Sequence, residues 1–164
     1  RRGGDSGYMV ILEVDDLETL RRSFEDNNVR VVFEAVTDGI VGLHLHPSDV
    51  GGAIVSVDRA DTWGERPWAG PEWRAHIRTE RVTEVLAVVI EAQDPGAMAG
   101  RWAEILGIDA VDHVITLSAG GQIRFVTASE RGEGVAGFVL RAASAGQIDE
   151  TTICNCRFEL TRPE

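Results

Sequence analysis

His44 to Asp58, HLHPSDVGGAIVSVD, is the stretch whose reading decides the fold, because a strand, a turn and a second strand follow one another there without a break. In Ile40 to His46 the residues alternate, with Val41, Leu43 and Leu45 on one side and Gly42, His44 and His46 on the other. One face is apolar and should pack against a core; the other is open to chemistry. Pro47 cannot donate to a sheet ladder, so Pro47 to Gly52 reads as a turn before the apolar run Ala53 to Val57 pairs back. Two imidazoles on one strand beside Ser56 on the next describe half of a pocket floor.

Working outward towards the start, Tyr8 to Val14 reads as a strand, with Val10, Leu12 and Val14 facing the core and Met9, Ile11 and Glu13 facing away. Asp15 and Asp16 cap a helix over Leu17 to Asn27, whose Leu17, Leu20 and Phe24 form its buried stripe. Val29 to Val36 is the next strand, and Thr37, Asp38 and Gly39 turn into the decisive stretch. The order is strand, helix, strand, strand, strand. Arg1 to Gly7 is a polar lead expected to be mobile.

Towards the end, residues 59–83 read as a linker that carries three of the four tryptophans, Trp63, Trp68 and Trp73. Such rings either pin a long connection onto the surface or form a lid over a pocket. The first pattern then returns: a strand over Leu86 to Ala92, a helix over Ala97 to Leu106 striped by Met98, Trp102, Ile105 and Leu106, and a hairpin of Val114 to Leu117 with Gln122 to Thr127. A third opening strand follows at Val135 to Arg141 with no helix after it, then a loop to Gly146 and a last strand over Ile153 to Leu160.

Composition bounds the chemistry. With 164 residues and 43% hydrophobic content the chain can bury a core. Its 27 acidic residues against 16 basic ones give a net charge of -11, which disfavours nucleic acid or an anionic membrane as a partner. Every basic residue is arginine, which excludes Schiff-base and Walker-type lysine chemistry. No apolar run approaches the roughly 18 residues of a membrane span. Cys154 and Cys156 form neither a disulfide framework nor a zinc pattern, so a reducing cytoplasm is expected. The chain begins at Arg1 rather than Met, from which missing upstream sequence is expected.

The run VILEVDDLE at Val10 to Glu18, with its helix, and HPSDVGGAIVSV at His46 to Val57 resemble the vicinal oxygen chelate superfamily of glyoxalase, bleomycin-resistance and extradiol dioxygenase proteins. Glyoxalase-like and methylmalonyl-CoA epimerase-like members are the nearest in look. The resemblance implies an α+β fold of βαβββ modules, whose curved mixed sheets surround a cleft with helices outside. It implies a near-complete module over residues 1–58, the tryptophan-rich linker over 59–83 and a degenerate module or modules over 84–164. It also implies a divalent metal held by residues of the first and last strands. Carried over position by position, those ligands fall on Met9, Ser56, Ala87 and, with less definite register, Phe125. Only Glu159 retains a carboxylate. Several converging donors are needed to hold a cation, so no resident cofactor is expected.

The reading is therefore a protein that binds a small molecule, with Tyr8, Met9, His44, His46, Ser56 and Arg124 as candidate ligand contacts. Arg124 could clamp a carboxylate. The alternative is a lyase, isomerase or dioxygenase in which His44 and His46, with Glu13 as partner, act on the substrate. His44, His46 and Glu159 would then be the candidate ligands of Zn, Mn, Fe, Co or Ni, completed by an absent upstream module. A homodimer is expected from a module left without its mate.

Overall fold

The computed structural model describes residues 4–37, 39–144 and 150–162. Asp38 of the expected turn, the first three residues of the lead, and residues 145–149, where the expected loop ends, lie outside the described residues.

The first unit runs β1 (Met9–Glu13), α1 (Leu17–Asp26), β2 (Val31–Thr37), β3 (Ile40–Leu45), the single turn α2 (Pro47–Val50) and β4 (Ile54–Ala60). Its strands lie in the order β1-β4-β3-β2. β1 runs parallel to β4, the other two pairs are antiparallel, and α1 supplies the crossover that parallel strands require. Asp16 caps α1 by accepting from the Thr19 N–H at 2.9 Å. Leu17, Leu20 and Phe24 then pack beneath Leu43, Leu45, Val55 and Val57.

The same order recurs in β5 (Val82–Ala92), α3 (Pro95–Leu106), β6 (Ala110–Val111), β7 (Val114–Thr116) and β8 (Gln122–Thr127), which align as β5-β8-β7-β6. β9 (Gly134–Ala142), β10 (Glu150–Ile153) and β11 (Cys156–Thr161) extend that sheet to seven strands, β9 joining β5 antiparallel and β11 joining β9 parallel. The fold is α+β, with eleven strands in two open mixed sheets and three helices among the described residues. No described helix is long and apolar enough to cross a membrane.

Several features differ from the sequence reading: β6 is an added strand, β3 ends at Leu45 before a helical turn, and three further differences concern the path of the chain. The last strand is a hairpin, because Cys154 and Asn155 both adopt positive φ and fold β10 onto β11. The connection is shorter than 59–83, since Arg59 and Ala60 still pair with β3 and Val82 already pairs with β9. The end of the polar lead is held rather than loose: the Asp5 carbonyl accepts from Arg131 and Asn155, and the Gly7 N–H donates to Cys156 Sγ.

One hydrophobic core spans both units. α3 carries Ala99, Trp102, Ile105 and Leu106 into it. The Trp102 indole lies edge-on to Phe125, with centroids 5.6 Å apart, and donates through Nε1 to the Gly51 carbonyl at 3.1 Å. That bond reaches the glycine pair of the decisive stretch, where Gly51 and Gly52 both take positive φ.

Beside it, Arg30 clamps Asp49 through Nε at 2.8 Å and Nη2 at 2.7 Å. These bonds and then the Arg30 N–H, with lesser help from the charges of Arg30 and His46, hold the Asp49 carboxyl far below the usual carboxylate range against the opposing effect of burial. The folded state thus binds this proton more weakly than the unfolded chain. The pair should stabilise the protein above about pH 4 and lose that contribution progressively as the pH falls further. A pH series of melting temperatures for wild type and Asp49→Asn checks this. The gap between them should be full at neutral pH and narrow in acid; a gap that does not narrow would remove Arg30 as the cause.

Candidate functional site

The face of the first sheet that α1 does not cover presents alternate residues of three strands. β1 offers Met9, Ile11 and Glu13; β3 offers Ile40, Gly42 and His44; β4 offers Ser56 and Asp58. Register sets Glu13 beside Asp58, Ile11 beside Ser56, and Gly42 and His44 across from Asp58 and Ser56. Two carboxyl groups therefore end side by side on neighbouring parallel strands.

The tryptophan-rich connection folds over this face. It makes two short turns of 3-10 helix, Pro67–Ala69 and Trp73–His76. The Gly64 N–H donates to Glu13 Oε1 at 2.6 Å, and Arg66 donates to Glu13 Oε2 at 2.8 Å. Trp68 Nε1 donates to Asp58 Oδ2 at 2.9 Å, while the Ser56 hydroxyl donates to Asp58 Oδ1 at 2.5 Å. Both carboxyls of the floor thus tether the strap above it. Gly42 is needed beneath, since a Cβ there would lie 2.9 Å from Asp58 Oδ1 and 3.4 Å from the Trp68 ring.

Between strap and sheet lies a cavity of about 510 Å3. Ile11, Ile40 and Ile77 give it apolar walls together with Trp68 and Trp73, and Glu13 and Asp58 line its floor. Ile40 is 4% exposed, although its side chain lies on the face that carries no helix. The volume is within the range that holds a small organic molecule, roughly 300 to 1,000 Å3.

The sequence candidates distribute unevenly around this hollow. Glu13 lines it, and Ser56 lies under it as the partner of Asp58. His44 sits on the same face but turns to the Phe33 ring on β2, with centroids 4.9 Å apart. His46 caps α2, its Nδ1 accepting from the Ser48 N–H at 3.2 Å. Glu13 bonds to the strap rather than to either imidazole. Tyr8 is exposed and Met9 half-buried at the start of β1.

Arg124 and Glu159 belong to the other sheet. Arg124 is half-buried on β8 and donates to Gln122 Oε1 at 2.9 Å. Glu159 lies with Arg157 and Glu91 along a separate cavity of about 220 Å3 between β5, β9 and β11. No group of three or more His, Cys, Asp or Glu converges as a metal site among the described residues.

Asp58 and Arg66 line this candidate site and were not singled out by the sequence reading. The alternation that placed Ser56 on the open face also placed Asp58 there, two residues further along the same strand, so that signal was present. Nothing in the sequence pairs Arg66 with Glu13.

No family model and no curated protein matches the chain. Among solved structures it is similar to a "hypothetical protein" from Staphylococcus aureus, with a TM-score of 0.66 at 12% identity, over 93% of this chain and 64% of that one. It is also similar to a "putative dioxygenase" from Bacillus subtilis subsp. subtilis str. 168, with a TM-score of 0.49 at 10% identity, over 96% of this chain and 63% of that one. A third is the cppA protein from Streptococcus pneumoniae TIGR4, with a TM-score of 0.46 at 9% identity, over 99% of this chain and 74% of that one. The chain thus spans about 64% of the length of the staphylococcal protein, and the likeness is one of fold.

Proposed function

We propose that this chain is a glyoxalase-like protein of the vicinal oxygen chelate type that binds a small organic molecule between its first sheet and the tryptophan-rich strap. The observation that carries the reading is the roofed cavity itself: Trp68 and Trp73 above, Ile11 and Ile40 below, and two carboxyls at the floor. The strand order repeated in the two units and the motifs of the first unit support the superfamily. Of the two roles open to the tryptophans, Trp68 would serve both, since its bond to Asp58 pins the strap at the hollow that it roofs.

Chemically, the site does not converge His44 and His46 on one atom. The first packs at a tilt against Phe33 and the second caps a turn. Binding is accordingly proposed, and not turnover through these two imidazoles. The protein is proposed to work in the cytoplasm, with Cys154 and Cys156 as thiols, and to pair with a second copy of itself.

Ligand-observed NMR with a set of aromatic alcohols, ammonium ions and carboxylates tests the binding. At least one class should bind the wild-type chain, and Trp68→Ala should weaken it tenfold or more, whereas Trp63→Ala, outside the cavity, should leave it unchanged. Absence of binding by every class, or equal binding by Trp68→Ala, would end this reading. Metal analysis of the purified protein addresses the other class of function. Stoichiometric zinc, manganese, iron, cobalt or nickel that is lost in His44→Ala or His46→Ala would replace it with catalysis. Sedimentation across concentration checks the pairing of copies.

A further inference from the structure

Three carboxyl groups line the cavity under the strap, and they are not equivalent. Glu13 is paired with Arg66 at 2.8 Å, and Glu65 is paired with Arg74. Asp58 is 6% exposed, the most deeply set of the three, and its partners are a hydroxyl and an indole N–H, both neutral. Both its oxygens accept, and among the described residues no arginine or histidine nitrogen pairs with it. A buried carboxylate that receives only neutral donors is left without the opposite charge that usually accompanies it. Around the hollow the apolar lining is Trp68, Trp73, Ile11 and Ile40, with His76 and the Glu13-paired Arg66 as its nitrogen bases.

The charges already spoken for sharpen the argument. With Arg66 committed to Glu13, and Arg74 from outside the lining to Glu65, the carboxylates and arginines of the lining leave one negative charge uncompensated, and His76 is the other titratable group there. Trp68 turns its N–H edge to that charge, and the Trp73 ring already carries the Arg74 guanidinium 4.7 Å from its centroid. An indole face attracts cations through its quadrupole and is a poor neighbour for anions. A carboxylate ligand would meet Asp58 with no free arginine in the lining to oppose it.

We infer that the ligand of this cavity is a monocation on an apolar, aromatic-sized body, an organic ammonium or amidinium whose charge is set against Asp58 while its hydrocarbon part lies between Trp68, Trp73 and the isoleucines. This rests on the reading of the cavity as a small-molecule site and adds the sign of the ligand's charge.

Three probes of nearly equal shape separate the possibilities: 2-phenylethylammonium, 2-phenylethanol and 3-phenylpropanoate, titrated into the whole chain by calorimetry and tryptophan fluorescence. The ammonium should bind at least tenfold more tightly than the alcohol, and the carboxylate most weakly. Asp58→Asn keeps an acceptor for Trp68 and should bring the ammonium and the alcohol to within about twofold of each other; its folding is checked by melting. The wild-type ranking is decisive even if that variant does not fold. Equal binding of all three, tighter binding of the carboxylate, or an ammonium preference that survives in folded Asp58→Asn overturns the inference and leaves the cavity a binding site. Absence of binding by all three overturns the inference together with the reading beneath it.

Discussion

Replacing Trp102 with alanine is expected to cost about 3 to 5 kcal/mol of folding free energy, the range for truncating a fully buried large aromatic side chain. Trp102 is 1% exposed, and its loss would remove three contributions at once. The ring fills the space between α3 and Phe125; its N–H satisfies the Gly51 carbonyl; and that bond ties the turn between β3 and β4 to the second unit. A carbonyl left without its donor adds its own penalty to the cavity. Neighbouring bonds depend on the same docking, since Arg101 on the next residue donates to the Asp49 and Asn27 carbonyls. The melting temperature should fall by on the order of 10 °C. Trp102→Phe, which retains part of the volume and loses the N–H, should fall between the two. A urea unfolding curve checks the magnitude, and a loss for Trp102→Ala below about 1 kcal/mol would show that the two units do not share one cooperative core.

The second large effect comes from one of the smallest residues. A Cβ at Gly137 would stand 2.4 Å from the Arg157 carbonyl oxygen, and this is backbone that no rotamer change can move aside. Gly137 and Arg157 are register partners in the parallel pair β9 and β11, so relief requires the strands to separate where β11 is bound. Gly137→Ala should destabilise the protein by about 1 to 3 kcal/mol as an overpacked site does. It should also raise amide exchange in β10 and β11 above that in the first sheet. Gly100→Ala is the matched control. It lies in α3 with no heavy atom within 4 Å of the added Cβ, so the same chemical change should stabilise by roughly 0.5 to 1 kcal/mol. Opposite signs for the two substitutions are the expected result. Equal signs would mean that backbone entropy, not contact, governs Gly137.

Both outcomes bear on the cavity through the frame that carries it. Its floor is built on β1, β3 and β4, which the core beneath holds in register, and its roof is tethered by Glu13 and Asp58. The tethers use the same groups that line the hollow, so the strap closes only where the floor has formed. These bonds hold against the sheet a connection whose residues are largely exposed, with Trp63 at 51% and Trp68 at 44%.

Much of this was legible from the order of residues alone. Alternation over Ile40 to His46 gave the two faces of β3, and helical spacing of Leu17, Leu20 and Phe24 gave the buried stripe of α1. Asp16 and Asp94 each accept from the N–H three residues on, as their positions before helices require. The return of the strand, helix and strand pattern after the linker was visible as well. The hairpin within the last stretch was not legible because Cys154 is no usual turn residue and Asn155, which is one, stands beside it without a glycine; both take the left-handed conformation that reverses the chain.

What the sequence determined was which residues face away from the core, because that follows from a period of two along each strand. Which of them become neighbours was settled only by tertiary structure. Glu13 meets Asp58 because α1 carries the chain over the sheet and β4 returns to lie between β1 and β3. Asp58 acquires Trp68, and not a cation, because the strap lands with its indole there and its arginines elsewhere. Periodicity is a local property of the backbone, whereas adjacency between strands is fixed by long-range hydrogen bonding and by the burial that rewards one strand order over another.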